Sequence, residues 1–305
     1  MTMNTYIERF RSIVLDNPRL DPHDDRLVVE RTNRIACHYA PFEYVNRDAK
    51  VVLLGITPGA QQAGNALNAL RTALQGGAND ALALQRAKQS ASFSGPMRSN
   101  LVAMLDRIGM QRTLNIETCA RLFDSRTDLA HFTSALRYPV FLDGKDYSGS
   151  PSILATPILR SMTQRWLSQE IAQLRDAFWV PLGKESAAVL ADFVSRGELK
   201  VDHVLAGMPH PSGANAERIA YFLGTKKRED LSAKTNPMLL DDARERLTRS
   251  VTLRGSSSSA IETMRPSSIP AGSSAPISNT RRALPTGQAT KRDGGFNFEV
   301  QHPQR

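Results

Sequence analysis

Two short loops carry the residue types and spacing through which this chain can act on a ligand. The first ends the stretch Val51–Gly59 (VVLLGITPG), where an apolar run stops in Gly-x-x-Pro-Gly. Gly55 and Gly59 let backbone approach a ligand closely, Pro58 fixes the loop's φ, and Thr57 adds a hydroxyl. The second is Gly207–Asn215 (GMPHPSGAN), in which His210 stands between two prolines and Ser212, Gly213 and Asn215 follow. A histidine confined in this way after a strand reads as a site residue. Backbone N–H groups and Ser hydroxyls in such small-residue loops suit phosphate oxygens. Cys37 and His38 (ACHYAP) are further residues with ligating chemistry. No second Cys/His pair lies nearby, so they read as the edge of a packed core.

The elements that must position these loops follow from hydrophobic patterning. Val51–Gly55 is apolar on both faces, the pattern of a central strand in a parallel sheet, and ligands bind at the carboxyl ends of such strands. Leu129–Ala135 (LAHFTSA) reads as a second strand, Phe178–Leu182 (FWVPL) as a third, and Val201–Ala206 as the last, delivering GMPHPSGAN. Helices are predicted over Thr5–Leu15, Met97–Ile108, Ile153–Leu174, Lys184–Ser195 and from Glu217 to Leu223. The Ala/Gln-rich insertion Gln61–Gln89 reads as two helices hinged at Gly76-Gly77, placed to fold over the mouth of a pocket behind the first loop. Asp21–Asp48 is a mixed, polar approach segment, and LDGKDYSGSPS after Phe141 reads as a polar loop. Strand–helix alternation of this kind predicts an α/β fold, a three-layer α/β/α sandwich around a short parallel sheet.

Composition sets the bounds. The 305 residues are 41% hydrophobic, enough for a full core, and a net charge of +9 with a pI near 9.8 favours an anionic partner. Two widely separated cysteines and an N-terminal amphipathic helix broken by charge point to a reducing cytoplasm without a secretory leader. No stretch approaches the roughly 20 apolar residues that span a bilayer. From about residue 254 the chain turns rich in Ser, Pro and Gly, with Arg and Lys scattered through it. The expected division is therefore a folded domain over 1–253 and a disordered basic tail over 254–305.

Taken together, GITPG after the first strand and HPSGAN after the last resemble the two signature motifs of the uracil-DNA glycosylase superfamily. FSGPMRSNL lies where that family carries its aromatic base-stacking loop, FTSALRYP at its second strand and FWVPLGKES at its third. The resemblance covers roughly Ala40–Val251, without the insertion and the tail. It implies a DNA glycosylase that hydrolyses the N-glycosidic bond of a flipped-out, non-standard pyrimidine. His210 would hydrogen-bond the pyrimidine O2 and stabilise the leaving base, Thr57 would position water, Phe93 would stack on the base, and Ser134 would line the edge-reading wall. Gly55, Pro58, Gly59, Pro211, Ser212, Gly213 and Asn215 would contact the DNA backbone. No metal or organic cofactor is implied, and a monomer is expected.

Three departures bear on the substrate. Most relatives carry Asp, Glu or Asn where Thr57 stands, and a neutral hydroxyl is a poor general base. Ser134 replaces the Asn that reads the uracil edge in several branches and cannot make the same two-point amide contact. Ala214 stands where a bulky residue often wedges into the duplex. The resemblance implies uracil as the default substrate, and a bulky modified cytosine of the phage-DNA type, with a role in antiviral defence, is the variant that these departures and the Gln61–Gln89 insertion allow. The alternatives are a non-catalytic DNA-binding protein with the same fold, and a nucleotide-binding α/β protein, against which the lack of G-x-x-x-x-G-K-[ST] or G-x-G-x-x-G counts.

Overall fold

The computed structural model describes residues 6–91 and 95–263. Its centre is β3 (Val51–Gly55), preceded by α1 (Ile7–Asp16), β1 (Val28–Arg31) and β2 (Ile35–His38). After it come α2 (Ala60–Gln75), α3 (Asp80–Ala91), α4 (Gly95–Arg107), α5 (Met110–Thr113), β4 (Ala130–Ser134), β5 (Val140–Leu142) and β6 (Lys145–Asp146). The remainder is α6 (Pro157–Met162), α7 (Ser168–Gln173), β7 (Phe178–Pro181), α8 (Lys184–Ser195), α9 (Ala216–Leu223) and α10 (Pro237–Thr263).

β3 lies between β4 and β7 in a parallel three-stranded sheet, with Gly55 in register with Ser134. Val51, Val52, Leu53 and Leu54 have no exposed surface, which is why the strand reads as one apolar run. Because side chains alternate across a strand, Val52 and Leu54 join a core with α1, α2, α3 and α8, while Val51 and Leu53 join a second core with α4, α9 and α10. The result is the three-layer α/β/α arrangement anticipated from the sequence.

Three local expectations are corrected. Val201–Ala206 is not a ladder strand: Val201–His203 forms a 3-10 turn, the His203 ring bonds the Arg175 carbonyl, and only Val204 bridges Trp179. The predicted helix Ile153–Leu174 begins at Pro157 and widens into a π turn over Thr163–Leu167, where the Arg137 guanidinium bonds the Trp166 carbonyl at 2.9 Å. The polar approach segment holds β1 and β2, which with β5 and β6 make a second, antiparallel sheet. There Cys37 and His38 are buried core residues, in keeping with their reading as a core edge.

The inserted hairpin follows its sequence reading, whereas the last helix runs past the boundary that composition suggests. The insertion is the helical hairpin α2–α3, broken around Gly76-Gly77, and its buried face of Ala63, Ala66, Leu67, Leu70, Ala83, Leu84 and Ala87 belongs to the core. The last helix, α10, packs Leu247 and Val251 into the second core and continues as helix to Thr263, ten residues beyond the boundary drawn from composition. Once a packed turn has been nucleated, extending a helix costs little, so composition alone misplaces its end. Residues 264–305 lie outside the described residues.

Candidate active site

At the carboxyl end of the parallel sheet the first loop, the end of β4 and the second loop line an open cavity of about 550 Å³. That volume falls within the ~300–1,000 Å³ usual for small-molecule sites. Gly55, Thr57, Pro58, Gly59, Ser134 and His210 all line it, so the structure brings the two sequence motifs onto one space. Pro211, Ser212, Gly213 and Asn215 stand beside the cavity without lining it. Gly213 faces open space, where a ligand's backbone can approach. Phe93 lies outside the described residues; Ala91 and Met97, on either side of it in the chain, are on the cavity wall.

His210 is held by its own loop. The Ser212 amide donates to Nδ1 at 3.2 Å and the Ser212 hydroxyl lies 3.0 Å from the same nitrogen. Asn215 in turn donates to the Ser212 hydroxyl, and Asn100 on α4 donates to the Pro211 carbonyl. With Nδ1 accepting from a backbone amide, the neutral ring carries its proton on Nε2. Burial holds the imidazole below its ordinary pKa, so the neutral form prevails at pH 7. The ring packs on Gly183, whose φ of +99° and missing Cβ make room: a methyl there would meet Cδ2 at 3.3 Å. A neutral imidazole with a fixed Nε2–H can donate to an acceptor that gains negative charge.

Thr57 is engaged elsewhere. Its hydroxyl donates to the Tyr138 carbonyl at 3.0 Å and accepts from the Val140 amide at 3.1 Å. The side chain braces the first loop against the connection between β4 and β5. Ser134, opposite Gly55 in register, brings its Oγ to 3.4 Å from where a Gly55 Cβ would lie, so the glycine makes space for that hydroxyl.

The wall also carries charge that sequence reasoning missed. Lys88 and Arg137 are buried cations lining the cavity. Lys88 Nζ donates to the carbonyls of Phe42 and Tyr44, and burial lowers its pKa to about 8. Arg137 pairs with the fully buried Glu170, which also accepts from His131 Nε2 at 3.0 Å. Burial would push the Glu170 carboxyl up, yet the Arg137 guanidinium and Lys88 hold it well below the usual range. Burial, reinforced by Lys88, lowers His131 to about 4, so that ring is a neutral donor. Gln61 and Gln62 of the inserted hairpin reach the wall as well, and Gln62 accepts from the Gly59 amide. The remaining charged side chain is Asp146 on β6, the sole carboxylate among the described wall residues. Its signal in the sequence was the Asp143-Gly144 pair after an apolar strand: both residues have positive φ, as a two-residue hairpin turn requires.

Fold and site define a class: an α/β/α protein with an open pocket at the strand ends, a fixed neutral imidazole, and flanking small-residue loops suited to an anionic chain. The chain belongs to the Uracil DNA glycosylase superfamily, whose family model matches residues 42–239. It is also 35% identical over 226 residues to the uncharacterized protein YoxB of Bacillus subtilis (strain 168), across 73% of this chain and 88% of that protein. No solved structure matches. Membership supports hydrolysis of the DNA glycosylase kind and DNA as the partner. No helix among the described residues is long and apolar enough to cross a membrane.

Proposed function

We propose that the protein is a monomeric, cytoplasmic DNA glycosylase that removes a non-standard pyrimidine and leaves an abasic site. The observation that carries this reading is His210, locked by Ser212 with Nε2–H free for the occupant of the cavity that the first motif also lines. Cleavage of the glycosidic bond leaves negative charge on the departing base, and a preorganised donor at its O2 lowers the barrier as an oxyanion hole does. The base would be flipped into the cavity, with Phe93 as its stacking partner and Ser134 at its edge. Gly59, Ser212, Gly213 and Asn215 would meet the phosphates. Uracil is one substrate; a cytosine with a bulky 5-substituent is the other, and its recognition would fit a role in defence against phage. The wall contributed by Gln61 and Gln62 supports that wider range.

The test is a set of oligonucleotides carrying a single uracil, hydroxymethylcytosine or glucosylated hydroxymethylcytosine. Base release is read by mass spectrometry and the abasic site by alkaline cleavage. The engaged Thr57 hydroxyl favours a second reading, a DNA-binding protein without catalysis. That reading predicts tight binding to all three duplexes and free base from none.

A further inference from the structure

We propose that Asp146 supplies the carboxylate that the first motif lacks, holding and deprotonating the water that attacks the sugar. The inference rests on the glycosylase reading above and assigns one residue within it. Thr57 is a neutral hydroxyl and a poor base, and it already gives its proton to the Tyr138 carbonyl while accepting the Val140 amide. The described wall holds one carboxylate, and it is not placed at random on that wall.

Asp146 lies against the first motif itself. Its Oδ1 accepts from the Ala60 amide at 3.0 Å, the first residue of α2 and the one following Pro58-Gly59. Its Oδ2 packs on Gly59: a Cβ at that position would stand 2.9 Å from this oxygen. Gly59 has φ −80°, an angle open to any residue, and its missing Cβ leaves room for the carboxylate to lie close. One oxygen is thus anchored, and the other makes no hydrogen bond with a described residue. The side chain is open to solvent, as a group that must recruit water has to be. Its backbone is fixed by the tight hairpin β5–β6, where Asp146 pairs with Phe141. The hairpin thereby delivers a carboxylate from another part of the chain to the first loop.

The step balances without a co-reactant. The C1′–N bond breaks and its electron pair leaves with the base, whose charge meets His210 Nε2–H. The water oxygen bonds C1′, and its proton passes to the Asp146 carboxylate. Asp146 then returns the proton through solvent to the released base, leaving an abasic sugar.

The Asp146→Asn variant separates this role from a structural one, because its amide oxygen still accepts from Ala60 and the side chain keeps its size. Single-turnover base release from the best substrate is expected to fall about 100-fold or more, the range of a lost general base. DNA affinity and melting temperature should match the parent. Asp146→Ala, which also removes the anchor on α2, should match the Asn variant in rate while melting lower. Release by Asp146→Asn at the parent rate, from a parent that is active, overturns the assignment and leaves the glycosylase reading standing. So does a loss explained by equal losses of affinity or folding. A parent that frees no base from any of the duplexes overturns both.

Discussion

Replacing His210 by Ala probes the group on which the functional reading depends. The variant removes the Nε2–H donor while leaving the cavity walls in place. Loss of one preorganised donor to a developing anion costs about 10²–10³ in rate, or ~3–4 kcal/mol of barrier. The structure allows that effect to be separated from folding. Two hydrogen bonds to Ser212 disappear, worth about 1 kcal/mol each when partly buried. Asn215 still donates to the Ser212 hydroxyl and Asn100 to the Pro211 carbonyl, so the loop keeps two of its anchors. A stability loss of about 1–2 kcal/mol is therefore expected, too small to unfold a domain of ordinary stability of about 5–15 kcal/mol. Phosphate contacts dominate DNA affinity, which should barely change. The assay is single-turnover excision on saturating duplex, quenched and cleaved with alkali, alongside urea unfolding of the same preparation. Excision at the parent rate would refute the assignment of this loop, and with it the idea that a fixed imidazole carries the leaving-group charge.

Further outcomes follow from other parts of the structure. Gly183→Ala forces a side chain into a φ region close to glycine-only and against the His210 ring; it should cost about 1–3 kcal/mol of stability and slow excision, read by urea unfolding and single-turnover rates. Glu43 is buried, and burial lifts its carboxyl from 4.5 to about 7. Its folded-state pKa is raised, so the stability it contributes is intact below about pH 4.5 and lost as pH rises through 7. The melting temperature of Glu43→Gln relative to the parent should accordingly climb between pH 5 and pH 8, and a constant difference would rule this out. A chain ending at Thr263 should unfold with the parent's urea midpoint and excise at its rate, binding DNA more weakly at physiological salt; loss of cooperative unfolding would make residues 264–305 part of the core.

The parts of this protein legible in its sequence are those where one interaction dominates. β3 and β7 are buried on both faces, so each reads as an unbroken apolar run, and the two loops declare themselves through Gly and Pro. β1 and β2 escaped notice because Val28–Arg31 is half-exposed and Ile35–His38 mixes Ile and Cys with His. The pairing of β2 with β5 is settled by residues far along the chain, Ile35 opposite Leu142, which no local pattern records. Val201–Ala206 misled in the opposite direction: Val201, Val204 and Leu205 are compatible with a strand, but only the partner decides whether a ladder forms. Lys88 sits in a segment of polar residues near the end of α3, the usual sign of a solvated face, yet its ammonium is capped by two carbonyls from residues 42 and 44. Charges satisfied by distant backbone are invisible to periodicity. The cavity's small-residue walls could therefore be read from sequence, and its buried cations could not.

The brace from Thr57 to the β4–β5 connection has a consequence for how the chain is made. Thr57 is synthesised 81 residues before the Tyr138 carbonyl that holds it. At about 5–20 residues per second, that is a wait of roughly 4–16 s. During this interval β3, with its four successive buried residues, has neither β4 nor β7 beside it and presents two open edges. The first segment to emerge after it is the α2–α3 hairpin, whose apolar face packs in the same core as Val52 and Leu54. The insertion therefore gives the nascent central strand a surface to rest on well before the rest of its sheet exists.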